Sequence, residues 1–189
     1  MKIKLLIIGF AFSLFSTFAN AEMAKAGYTE VVGAEEQLEV IYVDHEKRWV
    51  RLKDENGYAR KIDVPEDVQN FDQVAVGDTV TISYAESIEV RAYAPGMNDE
   101  ENMIEAAFGE AETGQKPGKV YGERVVMVAT IEAIDLANNT VTLKDADGNT
   151  EVFPARYPEN LKKVDVGDKV VITHTEAAAI NVTGKASDE

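Results

Sequence analysis

Cysteine is absent from all 189 residues. Disulfides, thiol nucleophiles, thiol redox chemistry and cysteine-bearing metal sites are therefore excluded, and packing alone must hold the fold. Histidine is scarce, with two copies, and tryptophan occurs once. His45 and His174 show neither the H-x-H nor the i, i+4 spacing of a metal pair, so no metal ligands or cofactors are assigned. No G-x-S-x-G, H-E-x-x-H or P-loop occurs, and no catalytic residue is assigned. Asp145-Ala-Asp147-Gly-Asn149 begins like a calcium loop, but its glycine comes too early and the closing glutamate is missing, so it reads as a hairpin turn. Basic residues are few: 19 Lys and Arg stand against 34 Asp and Glu, a net charge of −15. Such a surface repels phosphate backbones, which argues against nucleic acid and leaves cations, small ligands, basic peptides or proteins as partners.

What is present begins with a leader. Lys2 and Lys4 precede an apolar run from Leu5 to Phe18, and Ala19-Asn20-Ala21 supplies the small-x-small pattern of signal peptidase sites. The run is short for a membrane span, which needs about 20 apolar residues. Residues 1–21 are therefore expected to be a signal peptide cleaved after Ala21, giving a periplasmic protein with no stable membrane insertion.

The remainder contains an internal repeat. "VAVGDTVTIS" (74–83) returns as "VDVGDKVVIT" (164–173), and "LEVIYVDHEKRWVRLKDENG" (38–57) aligns without a gap on "ATIEAIDLANNTVTLKDADG" (129–148). Asp44 meets Asp135, Leu52 meets Leu143, Gly57 meets Gly148 and Asp78 meets Asp168, so one unit occurs twice.

Each copy has β character. Val80, Ile82 and Tyr84 alternate with Thr79, Thr81 and Ser83, the period of a strand with one buried face. "DENG" and "DADG" end in the glycine that hairpin turns favour. Five strands per copy are expected, at 37–44, 48–53, 58–64, 78–84 and 87–91, then at 127–135, 139–145, 149–155, 168–174 and 177–183. The predicted fold is all-β: two tandem five-stranded OB-like β-barrels, 22–93 and 124–189, joined by a connector over 94–123. Within it, Asn98 as N-cap, three acidic residues, and the stripe Met103, Ile104, Ala107, Phe108 predict a short helix over 98–108. Units this small are marginal alone, so packing together, strand exchange or a homo-oligomer would help.

Chemistry is expected between the last two strands of each copy. "YAESIEV" (84–90) aligns with "HTEAAAI" (174–180), placing Glu86 and Glu176 on the same parity as the core residues Val80 and Val170. A buried lone carboxylate is costly. Either the strand breaks there at a bulge that turns the glutamate to solvent, or Tyr84/Glu86 and His174/Glu176 form two equivalent polar pockets. Trp49, on an outward position beside Arg48 and Arg51, is expected to pack on the connector helix or the other barrel rather than serve as a stacking platform.

The aligned segments "ATIEAIDLANNTVTLKDADGNTEVF" and "VDVGDKVVITHTEAAAI" resemble a family of bacterial exported proteins of unknown function. These commonly carry two such copies around a "KPG" connector, here Lys116-Pro117-Gly118. The resemblance implies a periplasmic tandem barrel and brings no activity. A weaker similarity, in "AID…VTL" and "VGDKV", is to periplasmic copper-chaperone barrels, which hold Cu(I) through histidine, tryptophan and methionines. The corresponding stretches, "NTEVFPARYPE" and "GYARKIDVPED", have none of these ligands, so that role does not carry over. The expected function is a non-enzymatic periplasmic binding or accessory module. The alternatives are a Cu/Zn-binding protein and a small hydrolase using Glu86 or Glu176 as acid or base.

Overall fold

The computed structural model describes residues 24–185; the expected leader, 1–21, lies outside them. The nine strands are β1 (Ala26–Asp44), β2 (Trp49–Lys53), β3 (Ala59–Asp63), β4 (Thr79–Tyr93), β5 (Met103–Glu110), β6 (Gly118–Asp135), β7 (Thr140–Lys144), β8 (Thr150–Pro154) and β9 (Lys169–Thr183). They form one antiparallel sheet in the order β3-β2-β1-β4-β9-β6-β7-β8, with β5 also paired to β6.

The all-β character is as expected, but the sheet is open: the two copies share it and do not close into separate OB-like barrels. Positions 78–91 and 168–183, expected as two strands each, are the single 15-residue strands β4 and β9. β1 and β6 also start well before the predicted 37 and 127, because their glycines and glutamates mask the alternation. No helix occupies 98–108. Met103–Glu110 is β5, laid along β6 from Met103↔Val126 to Glu110↔Lys119. Ala107 and Phe108 follow a helical spacing in sequence, yet edge pairing with β6 prevails over that local preference.

The architecture has a local two-fold axis. β4 and β9 pair along their whole length, with Glu86 directly opposite Glu176, its own repeat counterpart. β1 flanks β4 on one side and β6 flanks β9 on the other. Both β1 and β6 carry a bulge at matching positions, between Val40 and Tyr42 and between Ile131 and Ala133. Gly57 and Gly148 adopt φ of 86° and 88°, which the matching hairpin turns require.

At each end a β-meander and a 3₁₀ turn curl over the same face of the long strands. The first wing packs Val50, Leu52, Phe71 and Val74 on Leu38, Val40, Val80 and Val182. The second packs Leu143, with Val141 and Val164, on Ala92, Ile131 and Val170. Each core thus uses the end of one long strand from its own copy and one from the other. Apolar clefts of about 180 Å³ and 230 Å³ open at matching places in the two wings.

Two buried aspartates tie the copies together. Asp78 accepts the backbone N–H of Ala75 and the ammonium of Lys116, both through Oδ2, at 2.8 and 2.6 Å. Its counterpart Asp168 does the same with Asp165 N–H and Lys25 Nζ, at 2.8 and 2.7 Å. Each lysine precedes the first long strand of one copy and reaches the aspartate of the other. The "KPG" stretch therefore provides a crossing ion pair.

Candidate functional site

Between the wings, the face that carries Val80 and Val182 at one end and Val170 at the other is uncovered. Glu86 and Glu176 do share the parity of these core residues, but the core lies only beneath the wings. In mid-strand the same face meets solvent, and the side chain of Glu86 is 33% exposed. No bulge is needed, and β4 and β9 run through without one.

The four predicted residues meet in one cluster rather than two pockets. His174 Nε2 lies 2.9 Å from Glu86 Oε1, and the Tyr84 hydroxyl donates to Glu86 Oε2 at 3.0 Å. Tyr84 and His174 are repeat counterparts, so the axis would give each glutamate one of them. Glu86 instead takes both, and Glu176 forms no side-chain hydrogen bond among the described residues.

A third carboxylate joins them from a region expected to be connector. Glu123 on β6 pairs with Glu176, which pairs on its other side with Glu86. The three carboxylates form one cross-strand row. Tyr121 donates to Glu123 Oε2 at 2.8 Å, repeating the Tyr84–Glu86 geometry two residues apart on one strand. The shared Tyr-x-Glu spacing was the sequence signal for this second pair. Ile88, His174 and Val125 form the adjacent row on one side; Tyr84, Ala178, Tyr121 and the exposed ring of Phe108 form the row on the other. Phe108 and Tyr121 are in ring contact, with centroids 5.2 Å apart.

Hydrogen bonding sets the charge here. The His174 contact, then the Tyr84 hydroxyl, hold the Glu86 carboxyl below its usual range. The same bond to an anion raises the Tyr84 phenol, and Glu123 does likewise to Tyr121. Glu86 is therefore held as the anion at neutral pH, on the uncovered stretch of sheet between the two wings, which forms the floor of an open trough.

The other candidates lie elsewhere. Trp49 does not pack on a connector helix or a second barrel: it stacks on Tyr42 with centroids 4.7 Å apart, and its indole N–H donates to Asp44 Oδ2 at 3.2 Å. His45 lies against Phe71 in the first wing, away from His174 on β9. Among the described residues, no three His, Asp or Glu side chains are grouped to hold a metal ion. Asp145 caps its own turn, accepting from the N–H groups of Asp147 and Asn149. No helix among the described residues is long and apolar enough to cross a membrane. No family model, curated protein or solved structure matches the chain.

Proposed function

We propose that this protein is a non-enzymatic binding module of the bacterial envelope, and that the floor of its trough takes a cationic, partly apolar ligand such as an organic amine or a basic peptide segment. The carrying observation is the row Glu86–Glu176–Glu123, in which the middle carboxylate has no donor among the described residues and both neighbours are held by tyrosine hydroxyls. A cation over Glu176 would relieve the repulsion among three aligned carboxylates. Ile88, Val125, Phe108 and the tyrosine rings offer the apolar stems of such a ligand a surface on either side. The leader expected at 1–21 and the resemblance to exported tandem-repeat proteins support the envelope location. Glu86, lowered and already engaged with His174, suits holding charge better than donating a proton at neutral pH.

Isothermal titration with spermidine and with a short Lys/Arg-rich peptide tests this reading. Salt-sensitive binding that disappears in Glu86→Gln/Glu176→Gln, with the circular dichroism spectrum intact, is expected. Equal binding by the variant, or none by the native chain, overturns it.

A further inference from the structure

In the backbone, the local two-fold axis is broken at β5. β5 lies along the outer edge of β6, from Lys119 to Val126. The matching edge belongs to β1, residues 28–35. There β1 pairs with β4 on its inner side, and with β2 only from Glu39 onward. Among the described residues nothing occupies that slot. The Val40 N–H donates to the Asp78 carbonyl, so by antiparallel alternation the even residues of β1 bond β4. Thr29, Val31, Gly33 and Glu35 therefore turn their N–H and C=O groups outward.

This edge lacks the usual protections. "YTEVVGAEEQ" (28–37) contains no lysine, arginine or proline, and the only bulge in β1 comes later, past Val40. Val31 and Val32 are 57% and 60% exposed at its middle. Two of its acids are already neutralised by the chain's own wings: Glu30 by Arg156 at 2.8 Å and Glu36 by Arg60 at 2.7 Å. β3 and β8, the strands at the ends of the sheet, have five residues each, with Arg60 and Lys61 in one and Pro154 in the other.

We infer that the β1 edge is completed by the β1 edge of a second copy, antiparallel, with the two-fold axis at Val32. Outward groups must meet outward groups, so odd residues pair with odd residues. A centre at Gly33 would set Glu30 against Glu36 and is disfavoured. A centre at Val32 places Glu30 opposite Ala34, Val31 opposite Gly33 and Thr29 opposite Glu35, with no two acids facing. It also meets an unfilled need. Glu35 Oε1 accepts from Gln37, while its Oε2 is buried without a hydrogen-bond partner. Thr29 Oγ1 accepts from Arg91 at 3.0 Å, which leaves its own hydroxyl proton free to donate to the Glu35 carboxylate of the other copy once that side chain turns its shielded Oε2 outward. A centre at Val31 puts Gly27 opposite Glu35 and offers no such donor. The resulting contact is isologous, the form a closed dimer needs.

Sedimentation equilibrium and cysteine crosslinking test the inference, since the chain has no cysteine of its own. The native chain is expected to dimerise. Val31→Pro removes an outward N–H that β4 does not use, at a position where edge strands tolerate proline, and should weaken association by about tenfold or more. Val32→Cys should oxidise rapidly to a covalent dimer, because non-hydrogen-bonded antiparallel partners lie within disulfide reach. Val31→Cys, facing Gly33, should lag behind it. A monomeric native chain, or Val31→Cys crosslinking as fast as Val32→Cys, overturns the inference. The cysteine comparison decides the matter even if Val31→Pro fails to fold.

Discussion

Glu86 and Glu176 sit directly opposite each other on β4 and β9, each the repeat counterpart of the other. Two like charges therefore face across the local axis, a third follows at Glu123, and hydrogen bonds are shared unequally among them.

Removing the middle charge should stabilise the protein while impairing it. Glu176→Gln relieves repulsion against both Glu86 and Glu123 and breaks no hydrogen bond among the described residues. We expect a gain of about 0.5 kcal/mol in chemical denaturation. Affinity for cationic ligand should fall in the same variant. A stability gain coupled to a binding loss is the mark of a functional strain; a loss of both would point to a structural glutamate.

Acid should destabilise the fold in part through Glu86. Its folded pKa is depressed by His174 and Tyr84, so in the interval between that depressed value and the ordinary glutamate range the unfolded chain binds the extra proton. The contribution is present above the ordinary range and lost as pH falls through the folded value. Asp44, Asp135 and Asp145 are lowered by their turns and act in the same direction. Melting temperature against pH should show a shallower acid limb for Glu86→Gln, with the remaining slope owed to the turns.

The two wings should unfold together. The first wing's core needs Val182 from the second copy, and the second wing's core needs Ala92 from the first. Trp49 is the sole tryptophan and reports on the first wing. Its emission and the far-ultraviolet dichroism of the whole sheet should give coincident denaturation curves. Separate transitions would show that the copies fold as independent units.

Asp168→Ala should be costly. The side chain is 2% exposed and receives both Lys25 and the Asp165 N–H; its removal strands that N–H, while Lys25 keeps the Asp165 carboxylate. A loss of about 1–3 kcal/mol is expected from denaturation curves, and Asp78→Ala should behave alike, since Lys116 keeps the Gln73 carbonyl while the Ala75 N–H loses its acceptor. A change within experimental error at either position would leave the crossing ion pairs without a stabilising role.

The hairpins were legible because "DENG" and "DADG" fix turn chemistry locally. The grouping of Tyr84, Glu86, His174 and Glu176 was legible as two pockets, since parity and alignment identify the residues but not the register that merges them. That register is a long-range property of β4 on β9. Parity likewise said that Glu86 lies on the core side without saying where along the strand the core ends. β5 stayed hidden because an isolated apolar stripe suits a helix or an edge strand equally, and only the available edge of β6 decides.

The local axis also has a consequence for how a ligand bound as proposed would be oriented. In a true homodimer every residue near the axis is duplicated, and a molecule lying across it could bind either way round. Here the two halves belong to one chain and have diverged: tyrosine stands at 84 where histidine stands at 174, and both turn toward Glu86. A ligand bound as proposed would meet a carboxylate engaged by both Tyr84 and His174 on one side of the axis and an open one on the other. Such a ligand would lie in one direction only, although the long strands beneath it are related by the axis.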